Sequence, residues 1–218
     1  MLYKKGEDSR EKKVYCTSSS TSQLRLIGFK YGEPVPKELI TRWFNGGKAV
    51  DDACREEFGL VLEEIKNENK YIDELRQTPQ GALSLAILLD QLPRNVYRKT
   101  AIPFRVFDPM AREITRYVLE NKWDEQVNHI ERIFFYLPLE HSENLQDQEL
   151  CLQKSLENWN SAPPVYQGIL KVDHDFVVEH YEIIKRFGRF PHRNYVLERE
   201  FTPEEIEYMK SGPNTFGQ

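Results

Sequence analysis

Residues 81–92 constrain this chain more than any other stretch. Leu83, Leu85, Ala86, Ile87, Leu88 and Leu89 put apolar side chains on nearly every face of a helix, so other elements must surround it. Thr78-Pro79, just upstream, joins a capping residue to a proline at the first helical position and sets where the helix begins. A helix buried on all sides needs amphipathic partners, and the remaining sequence offers them. Val50, Cys54, Phe58, Val61, Leu62 and Ile65 recur at three- and four-residue steps, as do Ala111, Ile114, Val118 and Leu119 after Asp108-Pro109. Residues 130–139 carry apolar side chains on several sides before Pro138 ends or kinks that helix. Ser142 is placed to cap a helix bearing Leu145, Leu150, Leu152 and Leu156. Ile169, Val172, Phe176, His180, Ile183 and Phe187 then draw one long stripe, with His174 on an adjacent one. Residues 24–31 can form a short strand or lie extended, and one strand cannot make a sheet. The expectation is an all-α protein, a single helical bundle of about seven to nine helices.

Charge and cysteine usage narrow the function classes. Thirty basic against 35 acidic residues give a net charge of -5, so no global field draws the chain to nucleic acid or anionic lipid. Cys16, Cys54 and Cys151 are scattered and odd in number, which fits neither a disulfide scaffold nor a zinc knuckle. No run approaches a membrane span, and the first residues lack the apolar core of a signal peptide, so a soluble cytoplasmic protein is expected. Residues 1–35 read as a partly flexible N-terminal arm and 36–218 as a single helical domain. Removing residues 1–22 is therefore expected to leave the domain folded. Nothing in the letters sets an oligomeric state.

Chemistry concentrates in residues 186–194. Arg186, Phe187, Gly188, Arg189, Phe190, Pro191, His192, Arg193 and Asn194 end the longest amphipathic helix with a composition no core helix needs. Gly188 suits the left-handed conformation that closes a helix, and Pro191 forbids its resumption, so the arginines sit on a constrained turn. Guanidinium forks so held suit a carboxylate or phosphate, from a ligand or from the protein itself. Asp90 is the second signal: it ends the apolar stripe Leu83, Ala86, Ile87, and a carboxylate there needs a cation, with Arg94 nearest. Thr202-Pro203-Glu204-Glu205 reads as one more helix start, with Glu205 taken as a surface acid, and the tail after residue 210 as frayed.

Three stretches together resemble one family. They are Leu88-Leu89-Asp90-Gln91-Leu92-Pro93-Arg94-Asn95, then Phe135-Tyr136-Leu137-Pro138-Leu139-Glu140-His141-Ser142-Glu143 with Asp147-Gln148, then residues 186–194. In order and spacing they resemble the "domain of unknown function 924" family over roughly residues 36 to 210. That resemblance implies an all-helical, tetratricopeptide-like bundle of antiparallel helix hairpins, and carries no biochemical function.

The candidate ligand-binding set is Asp90, Arg94, His141, Glu143, Arg186, Arg189, His192 and Arg193, and the acid–base candidates are His141, His192 and Glu140. No metal is expected: Glu140 and Glu143 with His141, His174 and His180 lack the Glu-x-x-His repeat of helical di-metal sites. No cofactor fingerprint and no nucleophile motif appear. Three functions follow. The first is binding of a small anionic molecule or peptide in a pocket built by these motifs. The second is a cytosolic enzyme using the same His/Glu/Arg cluster for acid–base chemistry on an anionic substrate. The third is a tetratricopeptide-like scaffold in which the motifs only lock helices together. With the turn read as serving a ligand, Arg189→Ala and His192→Ala are expected to melt within a few degrees of the parent while losing binding or activity; marked unfolding of both would make the turn a clasp.

Overall fold

The computed structural model describes residues 30–44 and 47–217, and these are all-α. Among them α1 is Lys37–Phe44, α2 is Gly47–Glu68 and α3 is the single turn Ile72–Leu75. Helix α4 runs over 79–96 and is built from Pro79–Ala86, a π turn Ile87–Gln91, and Leu92–Val96. Helix α5 covers 103–120, a π turn Pro103–Phe107 leading into Asp108–Glu120. The remaining helices are α6 His129–Glu140, α7 Leu145–Ser161, α8 Pro164–Phe187 and α9 Pro203–Lys210. That makes nine helices among the described residues, an all-α bundle as the periodicity predicts.

Helix α4 is the central element. Gly81 through Ala86 are all buried, and the Thr78 hydroxyl accepts the Gly81 N–H to cap it. Around it pack α2 through Val61, Leu62 and Ile65, α5 through Ala111, Ile114 and Val118, and α6 through Ile130, Phe135 and Leu139. Gly81 is needed for close approach, since a Cβ there would stand 1.9 Å from the Leu75 carbonyl oxygen, a backbone atom that cannot move aside. Gly81→Ala is expected to cost about 1–3 kcal/mol in urea denaturation, as overpacked sites do. Gly168→Ala on α8, where nothing lies within 4 Å, should instead gain roughly 0.5–1 kcal/mol. Equal midpoints for the two variants would refute the packing assigned to Gly81.

Helix ends follow their letters in most places. Gly188 closes α8 at φ +69, and Thr202 with Glu205 forms a capping box on α9. Two expectations change. The cap of α7 is Asn144, which accepts the Gln146 and Asp147 N–H groups, while Ser142, two residues upstream, accepts the Asn144 N–H and donates to Asp147 at 2.6 Å. The tail folds back onto α8, with the Phe216 ring 3.7 Å from that of His180. Pro138 lies inside α6 without ending it.

The strand or extended reading of 24–31 and the flexibility expected of the arm fall mostly outside the described residues. The part described, from residue 30, meets α8: the Gly32 N–H donates to the Tyr166 hydroxyl at 2.6 Å, and the Tyr31 and Tyr166 rings lie 5.4 Å apart. No helix among the described residues is long and apolar enough to cross a membrane.

Candidate functional site

A cavity of about 300 Å³ lies between α1, α4, α6, α8 and the C-terminal segment. Its walls are largely apolar: Trp43 and Phe44 from α1, Phe134 and Leu137 from α6, and Val172 and Phe176 from α8. The polar groups come from the end of α4, where Arg94 and Asn95 line it, from Arg98 in the turn just beyond, and from the end of α6, where Glu140 and His141 do. Helix α8 adds Asp173 and His180, and Phe216 with Gly217 closes one side.

The polar end is built around Asp90. The π turn that carries it shifts the helical register by one residue, and such turns recur at functional sites. Asp90 is 1% exposed, and one of its oxygens, Oδ1, accepts both from His141 Nδ1 at 2.8 Å and from Arg94 Nη2 at 3.2 Å. Gln91 donates to the other oxygen at 2.5 Å. Burial opposes ionisation of this carboxyl, but the contacts from His141, Arg94 and Gln91 outweigh it and hold the group well below the usual carboxylate range. Arg94 Nη2 also donates to Asp108 at 2.8 Å, whereas its Nε and Nη1 are closed to solvent and meet no acceptor.

An ionised carboxylate at Nδ1 assigns the proton of neutral His141 to that nitrogen. Burial, then the Arg94 charge, push this imidazole below its ordinary value against the pull of Asp90, so the ring is neutral at neutral pH. Among the described residues its Nε2 makes no hydrogen bond, and His141 lines the cavity. The backbone under it is fixed from behind. Gln148, fully buried on α7, donates to the carbonyls of Leu139, Glu140 and Ser142, and Arg193 Nη1 donates to the His141 carbonyl at 2.9 Å.

A second carboxylate–imidazole pair stands beside the first. His180 Nδ1 lies 2.9 Å from Glu140 Oε1 and 2.8 Å from the Phe176 carbonyl, and the His141 and His180 rings are 6.0 Å apart. Asp173, half-buried, makes no hydrogen bond or ion pair among the described residues. Burial first, and the Glu140 charge second, raise its carboxyl well above the usual range. Arg98 is tied to Asp51 at 2.6 and 2.7 Å and donates to the Gly217 carbonyl, holding the tail over the cavity.

The residues singled out in the sequence thus divide. Arg94, Glu140 and His141 line the cavity, and Asp90 stands directly behind them. Glu143, Arg186, Arg189, His192 and Arg193 do not line it. Glu143 accepts from Arg199 at 2.6 and 3.0 Å and from the Phe190 N–H at 2.8 Å. Arg186 pairs with Glu204 at the surface, and Arg189 grips Glu205 through two bonds of 2.6 and 2.7 Å. His192 packs its ring near Phe190 and Phe216, and Arg193 is buried over Phe104 and Phe190. Glu205 is not a surface acid but 1% exposed, because Arg189, Asn194 and the Thr202 N–H all converge on it. His174 bonds Ser155 at 2.7 Å, away from the cavity. Among the described residues no group of three or more His, Cys, Asp and Glu is arranged to hold a metal.

Sequence reasoning missed Asp108, Arg98, Asp173 and the tail. Asp173 carried a usable signal: it falls four residues after Ile169, three before Phe176 and seven before His180, an acid on an apolar face just as Asp90 is.

A family model described as a bacterial protein of unknown function, DUF924, matches residues 28–213. No curated protein matches the chain. Among solved structures, a protein of unknown function from Agrobacterium tumefaciens is similar, at 32% sequence identity and a TM-score of 0.66, over 78% of this chain and 89% of that one.

Proposed function

The chain belongs to the DUF924 family of bacterial proteins of unknown function, and we propose that its cavity binds a small organic acid with an apolar body. One observation carries this reading. A single carboxylate oxygen of Asp90 holds both Arg94 and His141, so an under-bonded guanidinium and an imidazole bonded only through Nδ1 meet at the polar end of a cavity whose other walls carry Trp43, Phe44, Phe134, Leu137, Val172 and Phe176. A buried guanidinium with two nitrogens lacking acceptors is incompletely satisfied, and an acid at that end of the cavity would meet its uncompensated positive charge. The opposite requirement, apolar contact for the ligand body, is met by Val172 and Phe176, which remain 53% and 44% exposed although they continue the buried stripe of α8. A volume of about 300 Å³ suits a molecule of one ring and a short chain, and is small for a peptide.

The test compares benzoate, phenylacetate and 3-phenylpropionate with their amides, by thermal shift and calorimetry. At least one acid is expected to raise the melting temperature by mass action while its amide does not. Arg94→Met should weaken that acid about ten- to a hundredfold, the worth of a charged hydrogen bond. Equal binding of acid and amide, or full binding by Arg94→Met, would overturn acid recognition. A cavity that takes none of them leaves the tetratricopeptide-like scaffold as the better reading.

A further inference from the structure

We propose that the cavity is a proton-transfer active site in which His141 Nε2 is the general base and Asp173 the proton donor, acting on a small carbonyl compound with an acidic C–H. A histidine that only fills a core is bonded at both ring nitrogens or packed as an apolar plate. His141 is bonded at one: Asp90 holds Nδ1 at 2.8 Å, and the ring cannot turn because Arg94 and Gln91 hold Asp90 in turn. Its side chain is nine-tenths buried and lines the cavity, and among the described residues its ring makes one hydrogen bond, through Nδ1, with none to Nε2. Asp90 is the positioning residue here, since it touches only the imidazole and its neighbours. The charged and titratable groups facing this ring are Asp90 and Arg94 from α4, Glu140 from α6, and His180 from α8, with Asp173 on the same wall as His180.

Protonation states suit the roles. His141 is held neutral by burial and Arg94, so the base form is present at neutral pH, and Asp173 keeps its proton above the usual carboxylate range. The step balances without any co-reactant. The substrate C–H bond breaks toward His141 Nε2, the electron pair forms a carbon–carbon double bond, and the carbonyl oxygen takes the proton of Asp173. A keto compound becomes its enol, and proton exchange with water resets both groups. Choosing a 2-oxo acid as the substrate class rests on the acid-binding reading above, since Arg94 would take its carboxylate; the base itself does not.

Two probes separate these layers in the full chain. 5-Nitrobenzisoxazole carries an acidic C–H and no acid group, and its ring opening releases a coloured phenolate. It should be opened with saturable kinetics, at a rate that rises through an ionisation below the ordinary imidazole range. His141→Gln should lose about a hundredfold, the usual worth of a positioned base. Val172→Trp, which adds bulk at an exposed part of the cavity wall, should also lower the rate, and the exposed Glu204→Gln should not change it. A parent rate no greater than that of free imidazole at equal concentration, or equal rates for parent, His141→Gln and Val172→Trp, would overturn the base. The second probe is phenylpyruvate in D2O, whose methylene protons should exchange with the parent and far more slowly with Arg94→Met and Asp173→Asn. Opening of the benzisoxazole without phenylpyruvate exchange would overturn the substrate class and the acid-binding reading while supporting the base.

Discussion

Asp90→Ala is expected to lower stability by about 3–5 kcal/mol, a large part of the roughly 5–15 kcal/mol that holds a domain of this kind together. The carboxylate is 1% exposed and receives three side-chain donors. Its loss leaves Arg94 with Asp108 as its one remaining carboxylate, when Nε and Nη1 already meet no acceptor. The cost therefore comes from stranding a buried cation, more than from the net worth of the bonds removed. It is larger than that of Glu204→Gln, whose pair with Arg186 is more than half exposed on both sides and is worth roughly 0–1 kcal/mol. For a chain of this length the difference corresponds to a fall in melting temperature of roughly 10 °C. Urea denaturation should show the midpoint of Asp90→Ala reduced with little change in slope, as expected when stability alone is lost. Melting temperatures of Asp90→Ala and Glu204→Gln within two degrees of one another would contradict the role given to Asp90.

Asp90 also shows how far the letters reach. An acid at the end of an apolar stripe announces that a cation must approach, and Arg94 was legible because it lies one turn onward. What the letters do not carry is the π turn at Ile87–Gln91: inserting one residue into the hydrogen-bond ladder leaves no compositional trace, yet it sets the face of α4 on which Arg94 and Asn95 reach the cavity. Asp108, the second acceptor of Arg94, was read as a helix start because Asp-Pro has that local meaning, and its tertiary partner is fourteen residues away. Helix existence, by contrast, was legible nearly throughout, because periodicity, proline and glycine act locally. Gly188 and Thr202 show this well, each fixing a helix end through its own backbone geometry or hydroxyl. The scattered arginines and histidines behave differently. Which of them faces a cavity and which faces another part of the chain depends on how the helices cross, and a single sequence does not encode that in any local pattern.

The three motifs are related as layers. Residues 88–95 supply Asp90 and Arg94, residues 135–143 supply Glu140 and His141, and residues 186–194 press on the second layer from outside. Arg193 grips the His141 carbonyl, and the Phe190 ring lies 5.5 Å from that of His180. This accounts for aromatic and basic residues in a turn that does not line this cavity: the turn holds the residues that do.

That holding role makes the Glu205 clasp sensitive to pH, and Glu205→Gln carries the second large effect. Arg189 donates twice to the Glu205 carboxylate, the Thr202 N–H donates at 2.8 Å, and Asn194 adds a contact at 3.2 Å. The two bonds from Arg189 are the main cause of a carboxyl pKa lowered to about 2, which burial opposes. A folded pKa below the unfolded one means that the unfolded chain binds the proton more readily. The stabilisation is thus fully present above the ordinary Glu value and is lost as pH falls toward 2. From a shift of that size the group contributes on the order of 3 kcal/mol at neutral pH. Glutamine cannot replace it, since it offers one acceptor oxygen where four donors converge and adds two donors of its own. Glu205→Gln should accordingly melt well below the parent at pH 7, and the gap should close steadily between about pH 4.5 and pH 2 as the parent loses what the variant never had. Arg189→Ala should follow the same course, which reverses the tolerance expected if that arginine served a ligand. A gap between parent and Glu205→Gln that stays constant from pH 7 to pH 2 would show that the carboxylate charge does not hold the turn.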